Sequence, residues 1–256
     1  MARADMGGKS KVKDEGGLWE TIKVIVQALL IALVIRTFLF QPFNIPSGSL
    51  IPTLLIGDYL FTSKYTYGYS RYSFPLSPPL FEGRIWGADP ARGDIAVFKT
   101  PKDNSTDFIK RVIGLPGDKI QMLNGILHIN GKAVERKRIE DFETTDLYNR
   151  PTKVPQYLET LPNGVTHRVI EADGDNGYWD NTNLYTVPPG HFFMMGDNRD
   201  RSADSRDDSV VGYVPLENFV GKAQVIFFSI DDQASAWKVW DWPWTVRWNR
   251  IFTRIR

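Results

Sequence analysis

Three regimes follow one another along the chain when it is read as apolar and polar positions. Residues 1–17 are polar, with Arg3, Lys9, Lys11 and Lys13 among four glycines. Residues 18–40, LWETIKVIVQALLIALVIRTFLF, are apolar almost throughout, and between Val24 and Ile35 the only polar residue is Gln27. That core is short against the roughly 20 apolar residues of a spanning helix. Thr37–Phe40 lengthen it, and Lys23 and Arg36 have stems long enough to reach the two interfaces. The pattern predicts a cytoplasmic tail over 1–17 and an uncleaved transmembrane anchor over 18–40. A cleaved signal is the competing reading, but no small-x-small cleavage pattern follows the run.

From residue 58 the period changes to that of strands. DYLFTSK (58–64), DIAVFK (94–99) and DFIKRVIG (107–114) are short β-rich runs bounded by Gly and Pro. Leu115-Pro116-Gly117-Asp118 is a turn signal. Asn124-Gly125 joins two apolar runs as a hairpin turn would, and Asn130-Gly131 repeats the signal. Residues 66–92 read as an irregular loop. Residues 135–188 are polar and read as an inserted subdomain holding a hairpin or two. Residues 191–196 and 219–230 are strand-like again. The prediction is a mostly β protein. Its main β domain comprises 41–134 and 189–232, and the insertion is β-rich.

The last stretch, 233–256, is a distinct tail. Five tryptophans between Trp237 and Trp248 lie among basic residues, and five Lys and Arg against Asp241 give 237–256 a charge of +4. Tryptophan favours the headgroup zone and basic residues favour anionic lipid. Pro243 interrupts any single helix. Two readings stay open: the tail rests on a membrane surface, or its tryptophans pack on the β domain.

Composition narrows the chemistry. The net charge of +1 over 256 residues gives no argument for nucleic acid as a partner. With no cysteine there is no thiol nucleophile, thiolate metal site or disulfide. The three histidines, His128, His167 and His191, are scattered without metal-ligand spacing, and no metal is expected. Lys and Arg counts place the positive side before the anchor: four precede it, and after Arg36 the next is Lys64. The N-terminus should therefore face the cytoplasm and the β domain the opposite side.

The candidate chemistry sits just after the anchor. In PFNIPSGSLIPTLLIGD (42–58), Ser47 and Ser49 flank Gly48 between Pro46 and Pro52. Glycine admits unusual backbone angles, and the prolines stiffen their neighbours, so the stretch can fix a hydroxyl in place. Ser49 is the candidate nucleophile. A serine needs a base, and a lysine serves if burial keeps it neutral. Lys110 shares a face with Phe108 and Val112 in a strand-like run, while Ile109 and Arg111 point the other way. On spacing alone, most lysines in strands are solvated, and the pairing stays open.

Four boxes in order change this. PSGSLIPTLLIGD (46–58), RGDIAVFK (92–99), FIKRVIGLPGD (108–118) and GDNRDRSADSR (196–206) resemble the successive boxes of bacterial type I signal peptidases, and the anchor just upstream fits as well. The resemblance implies a Ser–Lys dyad endopeptidase of mostly antiparallel β fold in the bacterial inner membrane, single-pass, removing signal peptides from exported preproteins without a cofactor. Ser49 matches the nucleophile and Lys110 the general base. Ser47, with the Ser49 backbone N–H, matches the oxyanion hole. Ser202 matches the serine that orients the lysine amine, and Asp204 and Arg206 a supporting ion pair. Ile45, Pro46, Leu50, Ile109 and Met195 match the walls of shallow pockets for small substrate residues. Membrane lipid and the export translocon are implied partners. The sequence departs from the family's usual pattern at Arg201 and at Asp208-Ser209, which bears on local substrate contacts. A calcium loop at 196–206 is the rival reading of that box, but Arg199 and Arg201 fall where an EF-hand needs ligands. Two other functions remain to be separated by experiment: a Ser–Lys peptidase dedicated to one substrate, and a membrane-anchored module that binds exported segments without cutting them.

Overall fold

The structure, a computed structural model, describes residues 17–145, 150–232, 234 and 237–256, apart from the side chain of Asn176. All but the last residue of the expected cytoplasmic tail lies outside the described residues.

The apolar run forms helix α1, Gly17–Phe38. Its 22 residues span about 33 Å at 1.5 Å per residue, enough for a hydrocarbon layer of about 30 Å. Its most apolar 18-residue window has a mean hydropathy of 2.0, and none of that window is buried. Such an exposed apolar surface calls for lipid. The helix ends two residues earlier than expected because Phe40 already pairs with Ser63. The Tyr69 hydroxyl donates to Phe38 O, and the Phe38 ring meets those of Tyr69 and Phe74 edge-on, so the helix end is fixed to the β domain.

Sixteen strands follow among the described residues. β1 (Phe40–Asn44) and β2 (Asp58–Ser63) flank the serine-bearing turn; β3 (Ile95–Lys99) and β4 (Asp107–Gly114) carry the lysine. β5 (Lys119–Leu123), β6 (Ile126–Ile129) and β7 (Lys132–Ala133) form a meander. β8 (Glu135–Arg138), β9 (Phe142–Thr145), β10 (Pro151–Val154), β11 (Gln156–Thr160) and β12 (Thr166–Ile170) fill the middle region. β13 (Tyr185–Thr186), β14 (His191–Met195), β15 (Val214–Pro215) and β16 (Phe219–Ser229) complete the set.

The main sheet runs β1-β2-β16-β3-β4-β14-β15, and every pairing in it is antiparallel. Both Asn-Gly turns take left-handed angles, φ 49° and 71° at Asn124-Gly125 and 53° and 76° at Asn130-Gly131, as a tight hairpin turn requires. The region 135–188 divides. β8, β11 and β12 form one sheet and β9–β10 a separate ribbon, but β13 pairs with β5 in the meander. Leu161 shares a core with Ile113 and Met195, so the middle region continues the hydrophobic interior of the main sheet.

The C-terminal tail divides its residues between the two open readings. Its backbone bridges to β16 at Val225–Arg254, Arg250 ion-pairs with Asp58, and the Trp242 ring packs on Phe228. Trp237, Trp240, Trp244 and Trp248 remain exposed.

Candidate active site

Ser49 lies in a short 3-10 turn, Gly48–Leu50, entered from an extended Ser47 (φ −134°, ψ 152°). The first N–H groups of such a turn have no partner within it. The Ser47 side chain does not cap the turn, so its hydroxyl and the Ser49 N–H both remain available. The five residues of β1 set this turn roughly 17 Å beyond the helix end, at about 3.3 Å per residue. Leu50 and Leu54 anchor the turn by entering a core with Ile45, Leu60 and Ile226.

Lys110 reaches the turn from β4, where it pairs with Ala96. Its Nζ lies 2.5 Å from Ser49 Oγ, at hydrogen-bond distance. Ser49 is 6% and Lys110 4% exposed. Burial, the dominant influence, lowers the Lys110 pKa to about 8; the Asp204 and Asp197 carboxylates oppose it and the Arg206 guanidinium assists. The pair lies in a cleft of about 960 Å³ that is also lined by Ser47, Phe108, Ile170 and Asn198 and, on another side, by the β9–β10 ribbon through Phe142, Thr144 and Val154. None of the three histidines lines this cleft. Burial, reinforced by the Arg111 charge, pushes the pKa of His167, which lies beside Glu159, down to about 4 and keeps the ring neutral.

The segment 196–206 clamps the nucleophile turn from the far side. The Asn198 backbone N–H donates to Ser49 O (3.1 Å), and its side-chain amide donates to Gly48 O (3.2 Å). A Cβ on Gly196 would come within 2.2 Å of Ser202 Oγ and 2.4 Å of Ser49 O, so only glycine lets these groups close up. Two buried ion pairs stiffen the segment. Arg206 meets Asp204 through Nε and Nη2, both at 2.9 Å, and Arg111 meets Asp197 at 2.8 and 2.7 Å. Burial alone would raise both aspartates, but the paired guanidinium outweighs it and holds each below the usual carboxylate range. The end of β12 is bonded to the same segment, with Ile170 N donating to Asp197 O and Arg199 N to Ile170 O.

This geometry is what a serine–amine acyl-transfer site requires. A family model described as signal peptidase, peptidase S26, matches residues 18–228. The chain belongs to this family. Among its relatives, signal peptidase I of Rickettsia typhi is 42% identical over 245 residues, covering 89% of this chain and 90% of the relative. Signal peptidase I of Rickettsia prowazekii is 39% identical over 277 aligned positions, covering 100% and 98%. A solved signal peptidase I from Enterococcus faecalis aligns with 53% of this chain and 97% of its own at 25% identity, with a TM-score of 0.30.

The structure brings Ser47, Ser49 and Lys110 together, with the Asp204–Arg206 pair acting on the lysine from close by. Ser202 is buried in the same place, but its hydroxyl lies near Asp204 without a well-directed bond and makes none to Nζ. The expected pocket walls are elsewhere. Ile45, Leu50 and Met195 are 1–2% exposed and belong to the cores. Ile109 packs half-buried on those cores, and Pro46 is exposed without lining the cleft. Apart from Pro46, these side chains point into the layers that hold the turn and the lysine strand in place, and Ile51, Ile56, Phe108 and Ile170 face the cleft instead. Arg201, one of the departures, lines the cleft and is largely exposed. Sequence reasoning missed Gly196, Asp197 and Asn198. All three stand in the GDNRDRSADSR box, which was the available signal.

Proposed function

We propose that the chain is a membrane-anchored serine endopeptidase that removes N-terminal signal peptides from exported preproteins after small residues. The observation that carries this reading is the buried amine 2.5 Å from the Ser49 hydroxyl at the foot of the cleft. Neutral Lys110 takes the Ser49 proton as Oγ attacks the scissile carbonyl carbon. The Ser49 N–H and the Ser47 hydroxyl stabilise the oxyanion; a donor of this kind is typically worth about 2.7–4 kcal/mol. The Lys110 ammonium then protonates the leaving amine. Neutral again, it deprotonates a water that hydrolyses the ester. Ser202, buried with its hydroxyl unbonded, is positioned to hold Nζ once the serine oxygen is acylated.

The substrate lies extended along the cleft and adds its backbone as a strand. The anchor and the exposed tryptophans hold the site at the bilayer, which raises the local concentration of membrane-borne substrate. The cation count around α1 supports an N-terminus in the cytoplasm and a β domain on the outer face of the bacterial inner membrane. The test is cleavage of several unrelated preproteins by wild type and Ser49→Ala, with a serine-directed acylating probe as a second readout. Cleavage of all of them, with labelling lost in Ser49→Ala, is expected. Cleavage of a single preprotein would mark a dedicated peptidase. Neither cleavage nor labelling would mark a binding module and end the proposal.

A further inference from the structure

Away from the serine, three carboxylates converge from separate stretches of chain. Glu171 follows β12, Asp180 closes the turn after Gly177, and Asp200 sits in the segment that carries Ser202 and Asp204. Each offers an oxygen, and these oxygens lie within 4.8 Å of one another. Glu171 and Asp180 are 0% exposed.

Each carboxylate is held by one oxygen and leaves the other bare. The Gly177 N–H donates to Asp180 Oδ2 (2.6 Å), and the Asp173 N–H donates to Asp200 Oδ2 (2.7 Å). Arg136 Nη1 lies 3.4 Å from Glu171 Oε1. The remaining oxygens, Asp180 Oδ1, Asp200 Oδ1 and Glu171 Oε2, are buried with no hydrogen-bond partner. A buried carboxylate oxygen without a donor is costly, and three together are costlier still.

Neighbouring cations do not settle the charge. Arg199 is committed to Glu159 and Arg206 to Asp204. Arg136 is shared with Asp175, which also faces the cluster. The three carboxylates are therefore left short of positive charge. Gly177 makes room for it, since a Cβ there would come within 2.3 Å of Asp200 Oδ1.

We propose that Glu171, Asp180 and Asp200 bind a hard divalent cation, Ca²⁺ foremost. The donors are all oxygen, with neither imidazole nor thiolate, which selects Ca²⁺, Mg²⁺ or Mn²⁺ over softer metals. Ca²⁺ tolerates irregular oxygen sets contributed by separate segments, whereas Mg²⁺ demands near-ideal octahedral geometry, so Ca²⁺ suits three carboxylates drawn from three stretches of chain better. The site is no EF-hand, because its ligands come from three segments. It is structural and takes no part in bond cleavage. An ion here ties the middle region to the segment that clamps the nucleophile turn. The rival occupant is a proton, since burial pushes the Glu171 carboxyl up to about 8.

The full chain in detergent, stripped with a chelator, tests this. Added Ca²⁺ is expected to raise the unfolding midpoint by roughly 5 °C at a hundredfold excess over its dissociation constant. Tb³⁺ is expected to luminesce on excitation of Trp179, which neighbours Asp180, and Ca²⁺ to quench the signal by displacement. Asp180→Asn and Asp200→Asn are each expected to weaken both responses at least about tenfold. If neither Ca²⁺, Mg²⁺ nor Mn²⁺ shifts the wild-type midpoint, the proposal is overturned. It is equally overturned if the shift survives in the double variant, or if the stripped protein responds only to pH through about 8 and never to metal. The wild-type titration stands by itself should a variant fail to fold.

Discussion

Replacing Lys110 by Met removes the amine while keeping most of the side chain's length and apolar stem. Burial lowers the Lys110 pKa from 10.5 to about 8. At about 1.4 kcal/mol per pH unit, that disfavours the folded state by about 3 kcal/mol. The sign follows from the direction of the shift. A folded pKa below the unfolded one means that the unfolded chain binds more protons between the two values. The penalty is thus complete below pH 8 and fades as pH rises toward 10.5. Lys110→Met should therefore be inactive yet more stable, by up to about 3 kcal/mol at pH 6.5 and by about 2 kcal/mol less than that at pH 9.5. Denaturant unfolding of both proteins in detergent at the two pH values measures the gap. Preprotein cleavage should fall by at least about 10²–10⁴-fold, the range for loss of a general base. Lys64 supplies the control. It too is buried and its pKa is likewise lowered to about 8, but its amine donates to Ser73 O and, among the described residues, bonds no serine hydroxyl. Lys64→Met should still cleave. Retained cleavage in Lys110→Met, or a stability gap that does not change with pH, would refute the neutral-amine argument.

Three further outcomes follow from the site. Gly196→Ala should lose most cleavage and about 1–3 kcal/mol of stability, because the new methyl meets Ser49 O, a backbone atom that cannot swing aside; turnover and thermal unfolding report it. Asp197→Ala leaves the buried Arg111 charge unpaired and should destabilise by about 3–5 kcal/mol, measured by denaturant unfolding. Arg206→Met leaves Asp204 uncompensated beside Lys110, so the rising limb of the pH–activity profile should move to higher pH; an unmoved limb would show that burial acts alone.

Much of this was legible where local pattern and global position agree. The apolar run gave the helix, and Asp107–Gly114 forms a strand with the predicted bounds. Both Asn-Gly turns fold as their left-handed angles demand. Alternation misled where a strand is covered on both faces. Arg111 looks like the solvated partner of an inward Lys110, yet it is 0% exposed because Asp197, Gly93 and Thr53 bond it from the second layer. The same covering turns Ile45, Leu50 and Met195 into core. β1 was hidden because FQPFN carries a proline, which discounts a strand, although Pro42 lies on the outermost strand of the main sheet, where a missing donor is tolerated. The carboxylate cluster could not be read at all, since residues 171, 180 and 200 share no period.

What lets the Lys110 amine give up its proton near pH 8 is the balance of nearby charge rather than its absence. Two buried aspartates, Asp197 and Asp204, would each draw a proton onto the lysine, yet each is bound through two bonds to its own arginine. A carboxylate neutralised within about 3 Å acts on a third group mainly as a dipole, whose field falls off faster than that of a free charge. Desolvation is left as the dominant influence. The pairs thus do two things. They fix the segment whose Asn198 holds the serine turn, and they let a site crowded with ionised groups behave electrically like an apolar one. Replacing both members of a pair by apolar residues could keep the second property. It would lose the first, because an apolar pair cannot reproduce the Asp204 bond to the Gly196 N–H or the Arg206 bond to Arg199 O.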